Sequence, residues 1–218
     1  MAPRPPFRAD HVGSLLRPAS LKALRLDVES RRATPDALAA AEDAAIRDVV
    51  KLQEDAGLLG VTDGELRRRS WHMDFLLGLD GWSRRGPDVP VTFHAVGGGD
   101  VQFSRPDVRI TGRVGRSRPI FVDAFRFLAS VTRRTPKLTI PSPSMLYSQV
   151  GRAGIDRAAY PDLDAFVEDT AAAYRAEIAA LHAAGCRYLQ LDDVSLAYLC
   201  DEDMRALGRA RGEDPDAQ

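Results

Sequence analysis

The strongest constraint on the fold is an order of features that occurs twice: an amphipathic helix, a glycine that ends it, a short apolar run, then a pair of acids. In the first copy, Thr34 and Pro35 give a helix-start signal, and Leu38, Ala41, Ala45, Val49, Leu52 and Ala56 recur at spacings of three and four. Gly57 ends this helix, and Leu58 to Val61 lead into Asp63-Gly64-Glu65. In the second, Phe166, Thr170, Tyr174, Ile178 and Leu181 form one stripe, Gly185 stops it, and Arg187-Tyr188-Leu189-Gln190-Leu191-Asp192-Asp193 follows. A helix followed at once by a short buried strand is the α/β pattern, with parallel strands joined by crossovers. Acids at the outgoing end of such a strand stand where α/β sheets and barrels collect ligands. The competing reading of Asp192 and Asp193 is that they cap the segment that follows, as aspartates often do.

Two further stretches extend the pattern. His11-Val12-Gly13-Ser14 reads as a strand tip ending in a hydroxyl beside a glycine whose backbone can approach a ligand closely. Residues 137–140 read as a core strand running into the specialised loop 141–147. Four strand-and-loop units are half of a (β/α)8 TIM barrel, so the expected fold is that barrel truncated to about its first four β/α units, within one domain over residues 1–218. Ser14, Glu65 and Asp192 are expected to meet in one polar pocket at one end of the sheet. Residues 89–116 have a different texture, with β-branched runs at 89–92, 101–103 and 108–114, and read as a small antiparallel insertion. Gly97-Gly98-Gly99-Asp100 within it reads as a hairpin turn. A phosphate cradle would follow a core strand and open a helix, and this run does neither. A helix is expected near 121–131 and a polar one near 202–211. The tail from Gly212 to Gln218 reads as a chain cut off partway.

The 30 Lys and Arg balance 31 Asp and Glu, which gives no field to attract nucleic acid or an anionic membrane. The clusters Arg67-Arg68-Arg69 and Arg133-Arg134 read as solvated helix faces or caps, or as contacts to an anionic substrate tail. Two cysteines, Cys186 and Cys200, do not make a disulfide framework, and no apolar run approaches the roughly 20 residues of a membrane span. With no secretion signal at the N-terminus, the expected address is cytoplasmic. Neither cysteine lies in a Cys-x-x-Cys or His-x-Cys pair, so no metal ligand set is expected within this chain. Of the four histidines, His11 is the one connected to the pocket. His72 reads as rim or core beside Trp71 and Phe75, and His182 as a helix-end residue.

Four segments taken together carry a resemblance to a known family: Phe7-Arg8-Ala9-Asp10-His11-Val12-Gly13-Ser14-Leu15-Leu16-Arg17-Pro18, Val61-Thr62-Asp63-Gly64-Glu65-Leu66-Arg67-Arg68, Pro141-Ser142-Pro143-Ser144 and Leu189-Gln190-Leu191-Asp192-Asp193. In this order they resemble the catalytic domain of cobalamin-independent methionine synthase, and most closely its short standalone bacterial relatives. The resemblance implies a (β/α)8 barrel that moves a methyl group from methyl-tetrahydrofolate to homocysteine sulfur, with zinc holding the thiol. It implies that Val12, Gly13 and Ser14 hold the amino-acid end of homocysteine, and that Glu65 and Asp192 grip its ammonium. Tyr147 falls where the family places a tryptophan against the folate ring, and Val194 where it usually has a proline. The family's zinc ligands, a His-x-Cys pair, a glutamate and a further cysteine, come from later strands and have no counterpart here.

These readings lead to an expected methyltransferase half that carries the homocysteine pocket without the zinc centre, contains no catalytic residue of its own and is inactive alone. Two alternatives remain open. One is a metal-independent lyase or hydrolase using Glu65 and Asp192 as acid and base. The other is a non-catalytic half barrel that associates with itself or another chain through exposed sheet edges.

Overall fold

In the computed structural model, which describes residues 4–94, 99–210, 212, 214 and 216, the chain divides into two compact units. The first comprises residues 1–75, 118–141 and 176–192, and the second 76–117, 142–175 and 193–218.

Both helices of the repeated pattern form. After α1 (Ala19–Glu29), α2 (Pro35–Asp55) begins where Thr34 accepts a side-chain cap bond from the Ala37 amide at 3.2 Å. The chain reverses at Gly57, whose φ of +81° only glycine adopts without strain, and enters β1 (Gly60–Val61). A short α3 (Met73–Leu76) follows. The antiparallel strands β2 (Asp80–Arg84), β3 (Val89–His94), β4 (Asp100–Arg105) and β5 (Val108–Gly115) come next, and then α4 (Val122–Val131). The remaining elements are β6 (Thr135–Pro141), α5 (Ser144–Val150), α6 (Asp164–Ala183), β7 (Tyr188–Asp192), α7 (Ser195–Leu199) and α8 (Glu202–Ala210), with a single 3-10 turn at Arg152–Gly154.

The first unit is built on a parallel sheet of order β1-β6-β7. Alternation along the strands gives this sheet two unlike faces. Val61, Leu138 and Ile140 point to one side and are buried, and Val61 joins a core with Leu21, Ile46, Val50, Leu66 and Leu128 from the helices and the loop after β1. The other side carries Lys137 and Thr139, paired in register with Tyr188 and Gln190, and Asp192 opposite Pro141. This polar face is covered by the segment before α1. Phe7 meets the Tyr188 ring edge-on at 6.0 Å, and Asp10 accepts from the Lys137 ammonium at 3.0 Å and from the Tyr188 hydroxyl. Lys137, fully buried, also donates to the His11 carbonyl.

One expected strand is absent. Residues 11–14 join no sheet: the His11 carbonyl accepts from Lys137 and the Gly13 carbonyl from the Thr62 hydroxyl at 2.7 Å, and the next amide, Leu15, donates to Gly64 O at 3.0 Å. Three parallel strands are therefore present among the described residues where four were expected. The loop expected at 141–147 becomes helical from Ser144.

In the second unit β2 pairs with β5 and β3 with β4, all antiparallel. The β3–β4 ladder runs from Val89 opposite Arg105 to His94 opposite Asp100, and Gly97 and Gly98 of the expected turn lie outside the described residues. β2, unmarked by any apolar alternation, contains a bulge at Gly81, where φ is +84° and a Cβ would sit 2.5 Å from the Arg113 carbonyl oxygen. Tyr160 anchors this unit: its hydroxyl donates to Asp169 at 2.6 Å and accepts from the Val114 amide at 2.6 Å. Among the described residues no helix is long and apolar enough to cross a membrane.

Because Lys137 ties the covering segment to the polar sheet face, Lys137→Met should lower stability by about 2–3 kcal/mol, leaving Asp10 without its cation. It should also open residues 7–15 to proteolysis. Urea unfolding and limited proteolysis measure both. An unchanged midpoint would assign the covering segment's attachment to its other contacts.

Candidate functional site

The site begins with Gln53 on α2, a side chain 3% exposed. Its carboxamide pairs with Thr62 as a neighbouring strand would, accepting from the Thr62 amide at 2.9 Å and donating to the Thr62 carbonyl at 2.9 Å. Those bonds fix which end of the carboxamide is oxygen. The same oxygen lies 2.8 Å from His11 Nε2, so that nitrogen is the donor and the buried Nδ1 is left without a partner among the described residues. One glutamine thereby positions the tip of β1 and the segment around His11.

Beyond Thr62 the chain turns sharply. The Thr62 hydroxyl accepts from the Gly64 amide, and Asp63 accepts from the Glu65 amide at 2.9 Å. Glu65 is held at φ +56°, a left-handed conformation uncommon for a non-glycine residue and concentrated at functional sites. Arginines secure the carbonyls of this loop: Arg17 on Glu65 and Arg68, and Arg25 on Leu66 and Arg68.

The turn places the Glu65 carboxylate, 2% exposed, against the polar sheet face. Its Oε1 accepts from the Thr139 hydroxyl at 2.8 Å and lies 3.5 Å from the Arg68 guanidinium. Its Oε2 is buried and has no hydrogen-bond partner among the described residues. Burial pushes the Glu65 carboxyl above the usual carboxylate range. Arg68 and the Thr139 bond pull against this, and the charges of Asp63 and Asp192 add to it. Asp192, half-buried at the end of β7, is thus close enough to act on Glu65, and it accepts from the Gln190 side chain. Gly13 closes the group on another side: a Cβ there would lie 3.0 Å from Thr139 Cγ2 and 3.4 Å from Glu65 Oε1.

The sequence-derived candidates separate as follows. Gly13, Glu65 and Asp192 are gathered at the polar face, and His11 is tied to Gln53. Val12 and Ser14 stand on either side of buried Gly13 with exposed side chains. Tyr147 lies on α5 of the second unit. Asp193, not Asp192, fulfils the capping role, accepting from the Ser195 amide at 2.9 Å ahead of α7. Arg68 corrects the solvated-face reading of its cluster. It is 4% exposed, donates to the Thr139 carbonyl at 2.7 Å and lies over the Phe121 ring. His182 is exposed in the last turn of α6, while burial raises the pKa of the Cys186 thiol. Among the described residues no three His, Cys, Asp or Glu side chains are placed to hold a metal ion, so the donor set present does not fit a zinc centre.

Thr139 and Gln53 were not singled out from the sequence, and Arg68 was read only as one of a cluster. The available signal was Lys137 and Thr139 at i and i+2 in an otherwise apolar strand, which marks a polar face.

No protein-family model matches the chain. It is 40% identical over 213 residues to the uncharacterized protein YxjH of Bacillus subtilis, covering 97% of this chain and 54% of that protein. It is 28% identical over 194 residues to the 5-methyltetrahydropteroyltriglutamate–homocysteine methyltransferase of Thermosynechococcus vestitus, covering 88% of this chain and 24% of that one. A Listeria monocytogenes structure assigned to the vitamin-B12-independent methionine synthases superposes with a TM-score of 0.73 at 38% identity, covering 90% of this chain and 54% of that one. The chain spans about half the length of the Bacillus and Listeria proteins.

The contact between Gly13 and Thr139 gives a direct test of this packing. Gly13→Ala should cost about 1–2 kcal/mol through overpacking. Adding Thr139→Ser, which removes the nearer methyl, should recover part of that cost in a double-mutant cycle measured by urea unfolding. Purely additive losses would contradict the contact.

Proposed function

We infer that this chain, similar in sequence and structure to vitamin-B12-independent methionine synthases, binds the amino-acid end of a small thiol amino acid, homocysteine being the substrate its relatives' chemistry suggests. The observation that supports this most is the buried, unpartnered Oε2 of Glu65. A carboxylate oxygen shut away from water without a donor costs free energy, and an α-ammonium supplies both the donor and the opposite charge. Thr139 and Arg68 hold the other oxygen, so Oε2 is the one left to receive the ligand.

Asp192 is proposed as the second anion near the ammonium. The chain at Val12, Gly13 and Ser14 is proposed to meet the carboxylate through backbone N–H groups and the exposed Ser14 hydroxyl. Gly13 suits this role because it is already packed against Thr139 and Glu65, where a Cβ would be crowded. These roles position a substrate and do not activate its sulfur. Methyl transfer is proposed only for the longer relatives, and the residues described here supply no step of it. The (β/α)8 barrel is likewise part of the proposal, as the architecture to which the three parallel strands would contribute.

Calorimetric titration with reduced L-homocysteine tests this reading. Glu65→Gln should weaken binding about a hundredfold, the usual cost of removing one member of a buried charge pair. The analogue 4-mercaptobutanoate, which lacks the ammonium, should bind the unaltered chain as poorly as homocysteine binds the variant. Equal affinity for the two ligands would overturn the assignment.

The affinity should also depend on pH with a defined sign. Binding needs Glu65 ionised, and burial has raised its pKa. Affinity should therefore fall as pH drops through that raised value, at a higher pH than an exposed glutamate would impose. The Glu65→Gln variant should lose this dependence, as titrations across the mildly acidic range would show.

A further inference from the structure

We propose that the second unit carries an oxyanion-binding cleft, separate in chemistry from the ammonium site, that takes a small polyanion bearing carboxylate or phosphate groups. The cleft has a volume of about 300 Å³ and is lined by Arg109, Arg152, Arg157, Thr111 and Asp156 over a floor that includes Ile110 and Ile155. That volume falls at the small end of ligand sites.

Its walls belong to two segments bound rigidly to each other. Ile110 of β5 and Ile155 form a parallel bridge, and the Asp156 amide donates to the Ile110 carbonyl at 2.9 Å. The cleft is therefore already formed, which lowers the ordering cost of binding.

Three arginines line this space, against one acid, Asp156. Arg152 donates to the carbonyls of Ile155, Tyr160 and Pro161 at 3.2, 2.8 and 3.3 Å, which fixes its plane, and none of these partners is a carboxylate. Arg109 and Arg157 are exposed and make no ion pair among the described residues. The one acid in the lining, Asp156, turns Oδ1 into its own loop to accept from the Ala158 amide at 2.6 Å. Like charges gathered around a fixed cleft repel one another, and a bound oxyanion relieves that repulsion while matching the planar forks of arginine. Thr111, whose hydroxyl donates to Ser83 Oγ at 3.2 Å, lines the same space.

Carboxylate and phosphate ligands share this chemistry, and the experiment separates them. Citrate and inorganic phosphate are titrated calorimetrically into the full chain at low ionic strength, with Arg109→Gln, Arg157→Gln and, as a control on the other unit, Arg126→Gln. Saturable one-site binding of at least one probe is expected, weakened about tenfold by Arg109→Gln and by Arg157→Gln, the size of one charge-assisted hydrogen bond. Arg126→Gln should leave it unchanged, and added salt should weaken it. The tighter probe identifies the ligand class. All three positions are exposed, so the variants should melt as the unaltered chain does. Absence of saturable binding by both probes, or an equal loss in the Arg126→Gln control, overturns the proposal.

Discussion

A parallel sheet with one apolar and one polar face must satisfy the polar face without water, and the first unit is organised around that requirement. Lys137, Thr139, Tyr188, Gln190 and Asp192 share the polar side through the register of β6 with β7. Helices bury the opposite side at β1 and β6, so the cover for the polar side has to bring its own hydrogen-bonding groups. Residues 7–15 do so from the N-terminal direction and the turn 62–65 from β1, meeting over Thr139. A regular strand in place of either segment would direct its backbone bonds to a sheet neighbour. Both remain irregular, and both lend carbonyls or side chains to the sheet face.

This arrangement explains why an acid stands at Glu65. Its backbone adopts a left-handed conformation, four arginine-to-carbonyl bonds hold the loop, and one oxygen of its carboxylate is satisfied by Thr139 while the other has no partner among the described residues. Strain and an unsatisfied buried oxygen both disfavour the folded state when no ligand is present. They are consistent with a site prepared for a cationic group.

The legible parts of the fold were those fixed by local chemistry. Thr34, Pro35 and Gly57 bound α2 because capping and left-handed turns depend on the residues at hand, and β7 ends at its acid as read, although the strand expected to be buried is only half-buried and exposes Leu191. The strand assigned to residues 11–14 failed for a nonlocal reason: whether an extended segment pairs depends on its neighbour, and here the neighbour is the Thr62 hydroxyl. β2 was illegible because Asp80-Gly81-Trp82-Ser83-Arg84 takes its strand character from pairing with β5 across a bulge. At the site, Glu65, Asp192 and Gly13 stood out as acids and a glycine at strand ends. Thr139, Arg68 and Gln53 did not, since a buried threonine, arginine or glutamine declares itself only through the partner it reaches.

The central claim is that Glu65 is a buried carboxylate poised for an ammonium ligand. It is tested most directly by NMR titration of the ¹³C-labelled Glu65 side-chain carboxyl, in the free chain and with saturating L-methionine as a non-reacting amino acid. The account predicts a pKa above that of an exposed glutamate in the free chain, falling when the ligand binds. An ordinary value in the free chain, or one that the ligand leaves unmoved, would contradict it.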